Sequence, residues 1–311
     1  MRWSLSSGAL LMAATRVMAA DPLSFRVITF NIRYAAAGST YEKPWSVRGP
    51  LVIDRASAIA ADATAAGAVP VIGMQEVLHE QLVDIAEGLG PAWSYIGTGR
   101  DDGKEAGEYC PLFYQPGRVT LLNSTQKWLS QTPDVPSYWP GAGSRRYVLV
   151  GVFEDRATGA RFVAANTHLD NASSAARSAG VGIILRVIRD VQARWGPGPG
   201  SGSGLPLPVT LSGDFNSEPG QDAYAAMVAD GYLGESYALA DARARFGPYE
   251  TYTGFVPDEV PDVGSRIDFV WAGPDAADTW DVTRYEVVDN VVGGVYISDH
   301  RPVFADITLR A

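Results

Sequence analysis

Short apolar, β-rich runs recur along the chain at Phe25–Ile32, Val69–Met74, Leu112–Tyr114, Tyr147–Phe153, Phe162–Ala165, Val209–Leu211, Ile267–Trp271 and Val303–Leu309. Each is bounded by polar or turn-forming residues and predicts a buried strand. Between several of them the period becomes helical. Leu51–Ala65 places Ile53, Ala56, Ile59 and Ala60 on one face, and Gln81–Leu89 forms a shorter helix. Ala175–Arg194 is the longest, with Val181, Ile184, Leu185 and Ile188 in register. Tyr147–Glu154 and Arg161–Ala165, joined across Asp155–Ala160, read as a hairpin. This mixture predicts helices packed outside a largely antiparallel sheet system rather than one doubly wound sheet.

One segment interrupts the pattern. In Gly196–Pro208 eleven of thirteen residues are Gly, Pro or Ser, a composition that cannot join a core. It could divide two domains, but the polar knots described below lie on both sides of it. It is therefore read as a surface loop within one domain spanning residues 21–311. The first twenty residues also stand apart, with Arg2, an apolar run Leu5–Ala14 and small residues at Val17-Met18-Ala19-Ala20. That order matches a secretory signal, and the run is too short to span a bilayer. The expected protein is secreted, has no stable membrane association and acts as a monomer.

Composition narrows the classes further. Of 311 residues, 46% are hydrophobic and 19% charged, enough apolar material for a folded core. The net charge is −10. Loss of residues 1–19 removes two arginines, leaving 23 of the 25 Lys and Arg against 35 acids, a charge of −12. A protein that tracks along a nucleic-acid backbone carries a basic face; here any polyanion contact must be local. Cys110 is the sole cysteine, so no intrachain disulfide forms. Asn123-Ser124-Thr125 and Asn171-Ala172-Ser173 are glycosylation sequons only in a host that uses them.

Histidine carries the most information because there are three. Two close apolar runs in polar knots, His168 in Asn166-Thr167-His168-Leu169-Asp170 and His300 in Ser298-Asp299-His300-Arg301-Pro302. Imidazoles beside carboxylates serve metal binding and proton transfer. Gly213-Asp214-Phe215-Asn216-Ser217 forms a further knot, in which alternation puts Asp214 and Asn216 on one side and Phe215 in the packing. Gln75-Glu76 follows another run, Asn31 ends the first, and Asp268 lies inside an apolar strand, where a carboxylate requires a partner. His79 is read as a surface or capping residue.

Taken in order, these segments resemble the endonuclease/exonuclease/phosphatase superfamily over nearly all of Phe25–Leu309. The matching motifs are Thr29-Phe30-Asn31-Ile32-Arg33, Gly73-Met74-Gln75-Glu76-Val77, Asn166-Thr167-His168-Leu169-Asp170, Gly213-Asp214-Phe215-Asn216-Ser217, Arg266-Ile267-Asp268-Phe269 and Ser298-Asp299-His300-Arg301-Pro302. The resemblance implies a DNase I-like α/β (α+β) fold, a four-layered sandwich of two mixed β-sheets flanked by helices. It also implies hydrolysis of phosphate esters with Mg²⁺ or Mn²⁺. Glu76 would be the main metal ligand, with Asn31 and Asp299 close to the ion. Asp214 would orient or deprotonate the attacking water, and Asn216 would donate to the scissile phosphate. His300, its tautomer set by Asp268, would stand beside the phosphate, with His168 on its other side. Glu108, in Glu108-Tyr109-Cys110-Pro111-Leu112-Phe113-Tyr114, resembles the glutamate that orients the first histidine in pancreatic-type deoxyribonucleases. Arg145 or Arg146 resembles an arginine that contacts substrate phosphate there, or else forms a solvated turn.

The substrate is less marked. Arg100-Asp101-Asp102-Gly103, Trp128-Leu129-Ser130-Gln131-Thr132-Pro133 and Lys43-Pro44-Trp45-Ser46-Val47-Arg48 resemble a microbial branch of the superfamily near its deadenylase side. This implies a nuclease or phosphodiesterase acting on nucleic-acid ends or nucleotides. Loop aromatics Trp45, Trp128, Tyr138 and Trp139 would stack bases or else pack the loops, and Arg145, Arg146 and Arg48 are the few candidate phosphate contacts. The alternatives are a phosphomonoesterase or phospholipase-C-like enzyme, and a non-catalytic binding module. Export has a direct check: intact-mass analysis of the mature protein should show a new N-terminus near Ala20 or Asp21.

Overall fold

Strands form where the apolar runs place them. The computed structural model describes residues 23–36, 38–196, 206–256 and 264–310. The predicted signal segment and residues 197–205 of the Gly/Pro/Ser-rich stretch lie outside the described residues. The first half carries β1 (Ser24–Asn31), β2 (Val69–Gln75), β3 (Ser94–Ile96), β4 (Leu112–Tyr114), β5 (Val119–Trp128), β6 (Tyr147–Asp155) and β7 (Arg161–His168). The second carries β8 (Val209–Asp214), β9 (Gly234–Glu235), β10 (Arg245–Phe246), β11 (Asp268–Gly273), β12 (Trp280–Val287) and β15 (Val303–Leu309), with a small hairpin of β13 (Val291–Val292) and β14 (Val295–Tyr296). The longer helices are α1 (Trp45–Ala65), α2 (His79–Leu89), α3 (Ser174–Trp195) and α4 (Asp222–Asp230).

The strands make two mixed sheets, one ordered β10-β12-β15-β1-β2-β4-β3 and the other β5-β6-β7-β8-β11-β9. Three apolar clusters define four layers. Phe25, Phe153, Phe162, Trp280 and Tyr285 fill the space between the sheets, where Phe25 and Phe162 meet edge-on at 4.5 Å. Val163, Ile184, Ile188 and Trp271 join the second sheet to α3 and α4. Ile28, Phe30, Val52, Ile59, Leu82 and Ile85 join the first to α1 and α2. This is the four-layered, DNase I-like arrangement. The predicted hairpin is β6–β7, antiparallel with Phe153 opposite Phe162.

Two of the longer strands, with the two- or three-residue β3, β9, β10, β13 and β14, escape the hydrophobic pattern. β5, at a sheet edge, is buried only at its two ends, and β12, next to an edge, mixes buried with exposed positions, so polar residues such as Asn123, Ser124 and Arg284 sit within them. Helix α1 starts at Trp45, before the apolar period begins, and runs through Pro50.

Register brings the polar knots together. β7 and β8 are parallel with His168 opposite Asp214, and β8 and β11 are antiparallel with Asp214 opposite Asp268. In the other sheet β1 and β2 are parallel and end together at Asn31 and Gln75. Beneath these ends runs a buried polar seam. Gln75 Nε2 donates to Asn166 Oδ1 at 2.8 Å, and Asn166 Nδ2 donates to the Met74 and Pro111 carbonyls at 2.8 and 3.0 Å. Asn166 on β7 is thus bonded to β2 across the two sheets. Such close approach needs Gly73, where a Cβ would overlap Ser212 Oγ and Asn166 Oδ1. Gly73→Ala should therefore cost about 1–3 kcal/mol in urea unfolding, the scale of overpacking a filled interior.

Candidate active site

Three short backbone reversals aim the side chains. Arg33, Glu76 and Asn216, which follow the ends of β1, β2 and β8, have φ of 56°, 60° and 46°. Non-glycine residues in this left-handed region hold strain that the surrounding structure must sustain, and such strain clusters at functional sites. Glu76, with Asp299 and His300, comes to one cleft from the first sheet's side, and His168, Asp214 and Asn216 come from the second. The cleft's volume is about 620 Å³.

The floor is a connected set of hydrogen bonds. Asn31 Nδ2 donates to Glu76 Oε1 at 3.1 Å and to Asp214 Oδ2 at 3.0 Å, so one amide bridges two carboxylates. Its Oδ1 accepts the Arg33 amide, which fixes the orientation and turns the NH₂ group toward the acids. Asp214 Oδ1 accepts the Asn216 amide at 2.8 Å. His300 Nδ1 meets Asp268 Oδ2 at 2.9 Å, and Thr251 Oγ1 donates to the same oxygen at 2.6 Å. His300 Nε2 then faces Asp214 Oδ2 at 3.7 Å.

His168 occupies the other flank. Asn216 Nδ2 donates to the Leu169 carbonyl at 3.1 Å, which settles its amide orientation, and to His168 Nε2 at 3.0 Å. Nε2 is then an acceptor, and the ring proton is on Nδ1. His168 Nε2 is also 3.4 Å from Asp214 Oδ2, an ion pair only if the ring is charged. Burial first, and then the charges of Arg146, Arg100 and His300, hold His168 well below its ordinary pKa, so it is neutral and the contact is a close approach.

The carboxyls shift the other way. Burial, reinforced by the charge of Asp268, lifts Asp214 to about 7. Burial also raises Asp299, against the pull of His300, with Glu76 adding to the rise. Burial opposes protonation of His300, but the charge and hydrogen bond of Asp268 outweigh it and lift the imidazole to about 10. Burial is the larger cause of both carboxyl rises, but Glu76, Asp214, Asp268 and Asp299 still bring four carboxyls to the cleft and its floor against the single imidazole of His300 held among them. That excess, borne by carboxylate oxygens, fits a hard divalent cation, with Glu76 and Asp299 as donors on the cleft surface. Asp214, Asp268 and His300 offer ligand atoms within 4.8 Å of one another and form a second group able to hold an ion.

Several sequence expectations change in space. Both hydrogens of the Asn216 amide are engaged by His168 and Leu169, so neither is directed to a phosphate. Glu108 Oε2 is 3.9 Å from His168 Nδ1, beyond a hydrogen bond, because it is drawn to Arg100 Nη1 at 2.6 Å. Arg146 lines the cleft and keeps its buried Nε and Nη1 without a hydrogen-bond partner. Arg145 instead pairs with Asp101 at 3.2 Å and lies over the Tyr138 ring at 4.5 Å. Arg48 is fully buried and is not a substrate contact. Trp128 is buried with Nε1 donating to the Arg100 carbonyl, Trp139 packs against the α3 core, and Trp45 donates to Asp84. None of the four loop aromatics lines the cleft. His79 is half-buried against the Tyr109 hydroxyl. Sequence reading missed Thr251 and Tyr252; the Tyr252 ring meets His300 edge-on at 4.9 Å, and nothing in their local pattern marks them.

The profile of the Endonuclease/Exonuclease/phosphatase family matches residues 28–300. No curated protein was found to match the sequence. Among solved structures, an endonuclease/exonuclease/phosphatase from Bacteroides vulgatus is 32% identical, with a TM-score of 0.77 over 92% of this chain and 99% of that one. A mannosyl-6-phosphatase from Bacteroides thetaiotaomicron is 30% identical, with a TM-score of 0.72 over 91% and 99%. The human Nocturnin catalytic domain shares the fold at 19% identity, with a TM-score of 0.65 over 92% and 95%.

The raised carboxyls fix a sign for stability against pH. A folded pKa above the ordinary 3.8 favours the folded state most at low pH, and that stabilisation is lost as pH rises through about 7 for Asp214. The raised His300 adds a further loss that begins above its ordinary 6.5 and runs to about 10. The metal-free protein should therefore lose thermal stability between about pH 4 and 7, by calorimetry, and Mg²⁺ or Mn²⁺ should raise Tm more at pH 7.5 than at pH 5.

Proposed function

Since the chain belongs to the endonuclease/exonuclease/phosphatase family, whose members hydrolyse phosphate esters, we propose that it is an exported, Mg²⁺- or Mn²⁺-dependent phosphoesterase acting on a small, hydroxyl-rich phosphate monoester such as a sugar phosphate. The observation that carries the substrate class is the makeup of the cleft walls. Their arginines are already matched, Arg33 to Glu42 at 3.2 Å and Arg100 to Glu108 at 2.6 Å, with Arg146 beside Asn171 at 3.2 Å. That leaves charge for one phosphate dianion and no cationic track for a strand. Ser144, Asn171, Glu218 and Gln221 also line the walls, suited to hydroxyls. The mannosyl-6-phosphatase at 30% identity supports the same class. The proposal includes a single catalytic domain over residues 21–311, working as a monomer.

A cation held by Glu76 and Asp299, with Asn31 beside it, would supply polarisation of a phosphoryl oxygen and offset the charge of the floor. Asp214, poised near neutrality and fixed by Asn31 and Asn216, is placed to take a proton from the attacking water. His300, held as an imidazolium by Asp268 and Thr251, presents Nε2–H to the phosphate. Arg146, whose Nη1 lies 4.0 Å from Glu108 Oε2 and whose Nε lies 3.9 Å from Asp170 Oδ2, adds positive charge to the opposite wall. His168, neutral and tied to Asn216, shapes the pocket between them.

A nuclease or phosphodiesterase would use the same floor, so the two readings separate on substrate. Mannose 6-phosphate, p-nitrophenyl phosphate, bis-p-nitrophenyl phosphate and single-stranded RNA should be compared with Mg²⁺. Phosphate release from the monoesters should exceed diester cleavage, and chelation should abolish it. The reverse order, with terminal nucleotides released from RNA, would establish the nuclease instead. Asp214→Asn and His300→Ala should each lower kcat about a hundredfold or more, the scale of losing a positioned acid–base group.

A further inference from the structure

Arg48 lies in the second half-turn of α1 with its side chain fully buried. Its five N–H groups all donate to backbone carbonyls. Nε reaches Lys43 at 2.9 Å, Nη1 reaches Ile32 at 2.9 Å and Ile297 at 2.8 Å, and Nη2 reaches Arg33 at 3.2 Å and Tyr34 at 3.4 Å. No carboxylate is hydrogen bonded to it; Glu42 Oε1 stands off at 4.0 Å. Burying a cation among neutral dipoles is costly, and an apolar side chain on α1 would fill the same interior without that cost.

The placement of the carbonyls gives the reason. Ile32, Arg33 and Tyr34 directly follow Asn31, and Ile297 directly precedes Ser298-Asp299-His300. A second tie joins the same two segments, since Ser298 Oγ donates to the Asn31 carbonyl at 2.7 Å. We propose that Arg48, with Ser298, is a positioning residue of the cation site: it fastens the end of β1 to the 297–300 segment and so sets Asp299 against Asn31 and Glu76. The inference rests on the reading that Glu76 and Asp299 hold a divalent cation. Only a planar guanidinium fork presents five donors in the fixed directions that three chain segments require, so lysine is not equivalent at this position.

Calorimetric titration of the metal-stripped full chain with Mn²⁺ alone, without substrate, tests it. Arg48→Lys should weaken Mn²⁺ binding about tenfold or more, the effect of losing a group that orients metal ligands. Val52→Ala, a buried truncation on the same helix that loses stability without touching the clamp, should leave Mn²⁺ affinity within about twofold of the parent's, since it removes packing alone. Parental affinity in Arg48→Lys, or an equal loss in Val52→Ala, overturns the inference. Should Arg48→Lys not fold, Ser298→Ala decides. A loss of about threefold or more supports the clamp, the scale of one hydrogen bond, and parental affinity refutes it. A parent that binds no Mn²⁺ overturns the cation reading itself and the clamp with it, a result distinct from a parent and variant that bind alike.

Discussion

Negative charge crowded between two sheets is the constraint around which the rest of the structure is arranged. Asp214 and Asp268 stand directly opposite one another on adjacent antiparallel strands, a pairing that destabilises a sheet unless something intervenes. Glu76 and Asp299 bring further carboxyls from the other sheet to the same cleft. The chain offsets part of this charge locally. His300 lies between Asp268 and Asp214, Thr251 donates to Asp268, and the Asn31 amide spans Glu76 and Asp214. The remainder shows as carboxyl groups pushed up by burial and by one another. Such a floor is stable when a cation or a proton completes it, and that requirement couples folding to chemistry.

Holding those groups in place takes rigid support. The seam of Gln75, Asn166 and Ser212 is fully satisfied and buried, so the strand ends above it cannot drift apart without exposing unpaired amides. The left-handed residues Arg33, Glu76 and Asn216 then turn the chain sharply at those ends. Arg48 does for the β1 end and the 297–300 segment what Asn166 does for the sheets, using carbonyls in place of side chains. Sheet ends give the site its precision, and interior polar groups keep those ends fixed.

Much of this was legible in the sequence because burial on both faces leaves an unbroken apolar run. β4 and β15 have the limits their runs predict, β2, β7 and β8 extend one to three residues further into the polar knots, and β1 and β11 are shifted by one or two residues. β5 and β12 were not visible, since strands only partly buried carry polar residues, Asn, Ser and Thr in β5 and Asp, Thr, Arg and Glu in β12, that break the apolar run. The knots containing Asn31, Glu76, His168, Asp214, Asp268 and His300 were legible as clusters of scarce, chemically apt residues, and the fold brings them to one rim. Side-chain direction was not. Arg145 and Arg146 are neighbours that differ only in which way each points, and burial reversed the role expected of Arg48 from phosphate contact to internal clamp. Thr251 holds Asp268 through a contact 17 residues distant, which no local pattern encodes.

The cleft divides into a floor built on strand ends and walls built on loops, and the two are under different physical control. The wall carrying Arg100 and Glu108 comes from residues 98–108, where Asp102 Oδ1 accepts the Lys104 and Ala106 amides and Trp128 Nε1 holds the Arg100 carbonyl. Arg145 links that loop to the segment before β6 through Asp101, which explains why it turns away from the cleft. Its neighbour Arg146 directly precedes β6, its carbonyl accepting the Leu129 amide and its Nη2 donating to Asn171 Oδ1, so its guanidinium is held at the cleft. A loop wall can change its hydrogen-bonding groups without disturbing the floor, because no floor residue takes its orientation from residues 98–108. Glu108, Ser144, Asn171, Glu218 and Gln221 thus line the cleft from the wall side, whereas Glu76, Asp214 and His168 stand at or just beyond strand ends that the core holds rigid.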